Sequence, residues 1–299
     1  MAKQKVRHEE AEEGEAWLMS YADLVTLLLA IFVLLFSLSS IDNTKVSQVT
    51  KAISTYMNTK TTDNAVSVGD VSLEERQLLA YRKLAADFAP MFKEFGATRQ
   101  VEAWGDDVPD GKVTDFKGAV KAKPGEVVVF SWLEYPSKAV ADAAGEKMMS
   151  DPRMKEMGAS MPFDGQRMIF GGFTPMIDER SGSKTGYVDG CLVPVPVGNK
   201  EAYREMAAKT AALFKEYGAT RVVEAWGDDV PDGKVTDYKG AVKATGDEKV
   251  VYSWIEWPSK EVRDEGWKKI MADSRMHQGG MPFDGKRMIY GGFAPIFDA

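Results

Sequence analysis

The chain has 299 residues, a formal charge of −7 and 44% hydrophobic residues, a length suited to about two domains with buried cores. Its acidic balance, with no basic patch interleaved with aromatics, argues against a nucleic-acid partner. One cysteine, Cys191, excludes an intrachain disulfide framework, and two histidines cannot build a His-rich metal site; neither a metal spacing nor a cofactor-binding motif is present, so no metal and no cofactor is expected.

Met1 to Glu15 is charged and lacks a hydrophobic period, which predicts a flexible tail. Trp17 to Ile41 then reads WLMSYADLVTLLLAIFVLLFSLSSI. At about 1.5 Å per residue it reaches roughly 37 Å, enough to cross a bilayer with some tilt. A transmembrane helix is predicted over 16–41. It is too long for a signal-peptide core and no small-residue cleavage motif follows, so it should stay as an anchor. Its one charge, Asp23, costs about 2.5–3.5 kcal/mol on insertion scales if it faces lipid. Ser20, Asp23, Thr26, Ala30 and Ser37 fall on one narrow stripe of small or polar residues, while Leu24, Leu28, Ile31, Phe32, Leu35 and Phe36 fill the remaining circumference. Such a stripe marks a protein-facing or water-lined face. Asp23 is either a helix-packing polar residue or, in the reading favoured here, an ion-carrying carboxylate.

Trp17, Tyr21-Ala22-Asp23 and the serine-rich end from Ser37 to Asp42 occur in the order seen in the flagellar stator B subunits, and the segment resembles that MotB/PomB family. The resemblance implies that Asp23 binds the transported ion, a proton or alternatively sodium. It also implies an ion pathway and helix interface along Ser20, Tyr21, Thr26, Ala30 and Ser37. The implied partners are a ring of stator A subunits (MotA/PomA-like) and a second B chain. Lysines and arginines flank both ends of the span, so the positive-inside rule does not orient it. The resemblance does: a single pass of the bacterial inner membrane, N-terminus cytoplasmic and C-terminus periplasmic.

Over 42–58, Val46, Val49, Ile53 and Tyr56 recur at helical spacing, with Lys45, Gln48, Lys51 and Ser54 on the polar face. This is an amphipathic helix, either an ordinary juxtamembrane helix or, as the resemblance implies, the plug that blocks ion flow. A linker rich in Thr, Asn, Ser and Gly is predicted over 59–71. Ser72 and Glu75 make a capping box for a helix from Leu73 to Phe95, kinked at Pro90 and ended by Gly96.

From Ala80 the chain repeats itself at Ala202, an offset of 122 residues that becomes 120 by Met161 and Met281. A period this long means duplicated domains. The second copy shows the whole unit: strand Tyr187–Val195, helix Glu201–Tyr217, strand Arg221–Trp226, a long insertion, strand Val250–Trp257, helix Lys260–Ala272, and a last strand within Arg287–Phe297. The order βαββαβ predicts a ferredoxin-like α+β domain. WGDDVPDGKVTD and MPFDGKRMIYGGF carry a resemblance to the YbaA-like family of unassigned function. That resemblance implies a dimeric α+β barrel, here formed inside one chain by copies at 72–179 and 187–299. The first copy lacks its first strand, for which Ala65 to Val71 is a weakly alternating substitute.

Arg180 to Gly186 (RSGSKTG) reads as a laboratory linker, so the chain is taken as an engineered fusion, with a natural gene fusion as the alternative. The stator family's peptidoglycan-binding domain leaves no trace, and the chain is not expected to generate torque. The competing reading is a membrane-anchored barrel that acts as an enzyme or binds a small molecule. Its candidates are weak, and the chain is not expected to be an enzyme. Asp106-Asp107 and Asp228-Asp229 read as solvated turn chemistry, and Gly171-Gly172 and Gly291-Gly292 as a bulge or close packing.

Overall fold

Helix α1 (Leu73–Glu94) runs without a break past Ala80 and through Pro90 into the first copy. Its apolar positions recur on one face, where Ala85, Phe88 and Met91 are buried. Gly96, at φ +101°, ends it: the Ala97 N–H donates to the Phe92 carbonyl at 2.9 Å, a Schellman-type closure. These elements belong to a computed structural model that describes residues 72–158, 161–277 and 279–299. The chain divides into two compact units, Met1–Ser72 and Leu73–Ala299; the second is described here. The predicted membrane helix, plug-like helix and linker (16–71) lie outside the described residues. Among those described, no helix is long and apolar enough to cross a membrane.

The first copy continues with β1 (Arg99–Asp107), α2 (Phe116–Ala119), β2 (Val129–Glu134), α3 (Lys138–Ser150), α4 (Pro152–Gly158) and β3 (Gly172–Arg180). The second holds β4 (Tyr187–Pro196), α5 (Lys200–Glu216), β5 (Arg221–Asp229), α6 (Tyr238–Ala241), β6 (Glu248–Trp257), α7 (Lys260–Ala272) and β7 (Ile289–Asp298). Ser137 and Ser259 cap α3 and α7, each side chain accepting from the backbone N–H three residues on.

All seven strands form one antiparallel sheet in the order β2-β1-β7-β4-β6-β5-β3. The second copy contributes β7-β4-β6-β5, the order of a βαββαβ unit. The copies are joined by exchange: β7 pairs with β1, and β3 pairs with β5. Each copy's last strand therefore lies on the other copy's second strand. The sheet curls until its ends approach, with Arg180 of β3 3.7 Å from Glu134 of β2. Only the position between β2 and β3 is unfilled among the described residues; it is the equivalent of the place β4 holds between β6 and β7.

One core fills the inside of the curl. Phe116, Phe130, Phe293, Tyr252, Trp132 and Trp254 pack there with Val101, Val188, Leu192 and Val223. Phe130 stacks on Tyr252 at 4.5 Å between ring centres, and Trp132 meets Trp254 at 4.7 Å. A second core lies between the sheet and helices α5 and α7. A smaller third core gathers Phe88, Met91, Phe95 and Ala144 in the first copy.

The segment Ser181–Gly186 must carry the chain past β5 and β6. That is three strand spacings, roughly 14 Å at about 4.8 Å each, against a reach of roughly 24 Å for seven extended Cα steps. It is docked along the way: Ser181 Oγ donates to the Ala219 carbonyl at 2.6 Å, and the Gly186 N–H to the Trp257 carbonyl at 2.7 Å. A Cβ at Gly186 would stand 2.2 Å from the Pro258 carbonyl oxygen, so this glycine is required by close approach.

Candidate functional site

The residues singled out for ion transport, Ser20, Tyr21, Asp23, Thr26, Ala30 and Ser37, and those of the plug, Val46, Val49, Ile53 and Tyr56, lie outside the described residues. Within the barrel unit, polar chemistry is concentrated in three places, each traceable to the duplication.

The first is a lattice at the end of the barrel where β1 and β5 begin. Arg99 and Arg221 are equivalent, as are Glu134 and Glu256, and Asp178 and Asp298. Arg221 donates to Asp178 at 2.8 Å, to Glu134 at 2.5 Å and to Glu256 at 3.3 Å. Arg99 mirrors it, donating to Asp298 at 2.8 Å, to Glu256 at 2.8 Å and to Glu134 at 3.4 Å. Each carboxylate of the glutamate pair also accepts an indole N–H at 3.1 Å, from Trp132 or Trp254. Burial works against the charge on Glu256, but Arg99, Thr185 and Trp254 overcome it and hold its pKa down at about 2. Glu134 is lowered in the same way, burial being outweighed by Arg221. Each of the two arginines donates to three carboxylates, so the lattice locks the copies rather than exposing a charge for reaction.

The second place corrects the sequence reading of Gly-Asp-Asp. Asp106 and Asp107 end strand β1 instead of occupying a turn, and they reach the other copy. Asp106 accepts from the Tyr187 hydroxyl at 2.8 Å and is ion-paired with Lys260. Asp107 pairs with Arg263 at 3.0 Å, and Arg263 continues to Asp189 at 2.7 Å. Asp189 also accepts the indole N–H groups of Trp257 and Trp267, at 2.8 and 2.7 Å. The Lys260 hydrogen bond holds the Asp106 carboxyl below the ordinary range. In the mirror position the sequence has Ala65 at the offset of Tyr187, and Lys138, the equivalent of Lys260, pairs with Asp142 of its own helix at 2.6 Å. Of the four glycines, Gly292 is held by close packing: a Cβ there would stand 2.4 Å from the Tyr187 hydroxyl, while at Gly171, Gly172 and Gly291 the nearest atom is 3.2–3.3 Å away.

The third place lies on the helix side of the sheet. Tyr203 donates to Glu224 at 2.8 Å, as Tyr81 does to Glu102 at 3.0 Å. Burial pushes the Glu224 carboxyl up to about 7, with Tyr203 and Ser253 pulling only part of the way back. Burial also raises the Cys191 thiol, which removes its nucleophilic thiolate form. At the far end of the barrel the two insertions meet around a shallow cleft of about 340 Å³ lined by Thr114, Asp115, Lys121, Thr236, Asp237 and Lys243. Both aspartates are consumed as helix N-caps.

Comparison with known proteins divides the chain at the same place. A family described as "Membrane MotB of proton-channel complex MotA/MotB" matches residues 2–57. A family described as "Protein of unknown function (DUF1428)" matches residues 69–165 and again 186–285. Over 114 residues the chain is 66% identical to the uncharacterized protein YbaA of Escherichia coli (strain K12), which covers 38% of this chain and 97% of YbaA. Over 50 residues it is 46% identical to Motility protein B of Bacillus subtilis (strain 168), covering 17% of this chain but only 19% of that protein. A crystal structure of an anthrone oxidase-like protein aligns over 73% of this chain and 86% of its own with 13% identity and a TM-score of 0.38, below the level at which a shared fold is read. With more than half of its length in two matched segments, the chain belongs to the DUF1428 family and carries it in tandem behind a MotB-type N-terminal segment.

Proposed function

We propose that the chain is the B-type subunit of an ion-conducting flagellar stator in the bacterial inner membrane, with the DUF1428 tandem as a rigid scaffold behind the membrane segment. The observation that carries the reading is the match of residues 2–57 to MotB of a proton-channel complex, with Tyr21-Ala22-Asp23 at the head of the apolar span. Asp23 accepts a proton from the periplasmic side and releases it to the cytoplasm. Ser20, Thr26, Ala30 and Ser37 carry the stripe that faces the A-subunit ring and the second B chain. Val46, Val49, Ile53 and Tyr56 form the plug. The scaffold role is supported by an interior filled with aromatic rings and by α1, one helix that enters the barrel unit without a break.

The test is Asp23→Asn, which keeps the shape and removes the titration. With the plug (43–58) deleted and a matching A subunit co-expressed, the parent should acidify the cytoplasm while the variant should not. Equal proton leak through both, in complexes shown to assemble, overturns the proposal.

A further inference from the structure

The position between β2 and β3, unfilled among the described residues, has an occupied twin. In the second half of the molecule β4 lies between β7 and β6, paired antiparallel with both. β3 is the equivalent of β7 and β2 the equivalent of β6, yet among the described residues these two are the ends of the sheet, each paired along one edge. The side chains register the difference. Phe293 and Val251 are fully buried, whereas their equivalents Phe173 and Val129 are only partly so. Ser253 is buried and Ser131 exposed. The strands register it too: β6 has ten residues and β2 six, and β3 begins at Gly172 although β7 begins at Ile289, the equivalent of Ile169.

One polar atom points the same way. The Tyr135 hydroxyl is buried without a hydrogen-bond partner. Its equivalent is Trp257, whose indole N–H donates to Asp189 of β4 at 2.8 Å. The group left unsatisfied in copy one is thus the one whose twin is satisfied by a first-strand carboxylate. A buried donor without a partner is destabilising, and an incoming acceptor would recover that loss.

We infer that the slot between β2 and β3 is an acceptor site for an extended peptide strand supplied by another molecule. The strand runs antiparallel to both edges, alternates apolar residues as Tyr187–Pro196 does, and carries a carboxylate whose side chain reaches the Tyr135 hydroxyl diagonally, as Asp189, opposite Ile255, reaches Trp257. Main-chain pairing on two edges gives affinity, and the alternate side-chain positions give selectivity. The chain's own preceding residues are poor occupants. At the equivalent offset they put Asp70 where β4 has Leu192, 2% exposed, and Gly69 where it has Cys191. Moreover α1 already starts at Leu73, the equivalent of the buried strand residue Val195.

The test uses the full chain in detergent and a labelled decapeptide with the sequence of Tyr187–Pro196, its cysteine replaced by serine, followed by fluorescence anisotropy. Saturable one-to-one binding is expected, with a scrambled peptide at least ~10-fold weaker. Replacing the peptide's aspartate by leucine should cost ~10-fold against the parent chain and much less against Tyr135→Phe, which has no hydroxyl to satisfy. A chain in which residues 65–74 are exchanged for the sequence of 187–196 fills the slot itself and should bind no peptide. Absence of saturable binding to a folded chain, or equal binding of the scrambled peptide, overturns the inference. So does binding that arises only after residues 59–70 are deleted, because the chain would then be its own occupant.

Discussion

The two copies are close to one sequence written twice, yet they are not one structure twice. SWLE and SWIE occupy equivalent positions in β2 and β6. The second is buried along its whole length because β4 lies beside it, while the first alternates between buried and open. WGDD recurs without change, but among the described residues only the first pair of aspartates meets a tyrosine, Tyr187 of the second copy's first strand. The environment of a residue here is decided by which strand lies next to it, and that strand can belong to the other copy.

This contrast is open to direct attack. The largest effect should come from truncating one aromatic in both contexts. Phe293→Ala empties a fully buried position and should cost about 3–5 kcal/mol by urea denaturation. Phe173→Ala, the same change beside the vacant slot, should cost less than half of that. Equal losses would mean that the slot does not loosen its walls.

The lattice offers a smaller difference. The Arg221 side chain is 4% exposed and Arg99 16%, although they hold equivalent partners. Arg221→Ala leaves Glu134 and Asp178 without their fork and should cost about 3 kcal/mol. Arg99→Ala should cost measurably more, since the carboxylate it abandons, Glu256, is 3% exposed against 20% for Glu134. The reverse order in denaturation midpoints would show that exposure does not rank the two sites.

The third test uses pH. Glu224 is raised in the fold from an ordinary 4.5 to about 7, so the fold prefers its neutral form. Its contribution is complete below about 4.5 and is lost as pH rises through about 7, a change of at most about 3 kcal/mol. Glu224→Gln should remove that slope and make the variant the more stable protein above pH 7. Glu256 has the opposite sign: lowered to about 2, it stabilises above 4.5 and loses that contribution as pH falls towards 2. Stability of Glu224→Gln that still declines between pH 4.5 and 7 would assign the slope to another group.

Much of the second copy was legible because its elements are punctuated. Gly96 and Gly218 close their helices at φ +101° and +109°, and α7 spans the predicted Lys260–Ala272. The α+β class and the pairing of both copies in one curled sheet followed from chain order and resemblance, whereas the segment expected to stand in for copy one's first strand (65–71) lies outside the described residues. The exchange of last strands was not legible. Period-two alternation tells which face of a strand is buried and nothing about which strand lies at its edge. For the same reason Asp106 read as a solvated turn: its partners Tyr187 and Lys260 are more than 80 residues away. The lattice did leave a signal, since Arg99 and Arg221 open strands and Glu134 and Glu256 interrupt apolar ones at one offset. Recurrent charges inside strands ask for each other. The candidate ion site was read from motif and stripe alone and lies outside the described residues.

The exchange of last strands also sets an order of events during synthesis. Val101 of β1 is paired with Asp298 of β7, so the first copy's sheet has no second neighbour for β1 until the last residues described here have left the ribosome. Contacts of that sequence separation are slow to form. Until then Val101 and Ala103, both fully buried in the finished barrel, border an unpaired edge in a chain that already carries an apolar span near its start. Pauses late in the message would therefore lengthen that exposure more than pauses early in it.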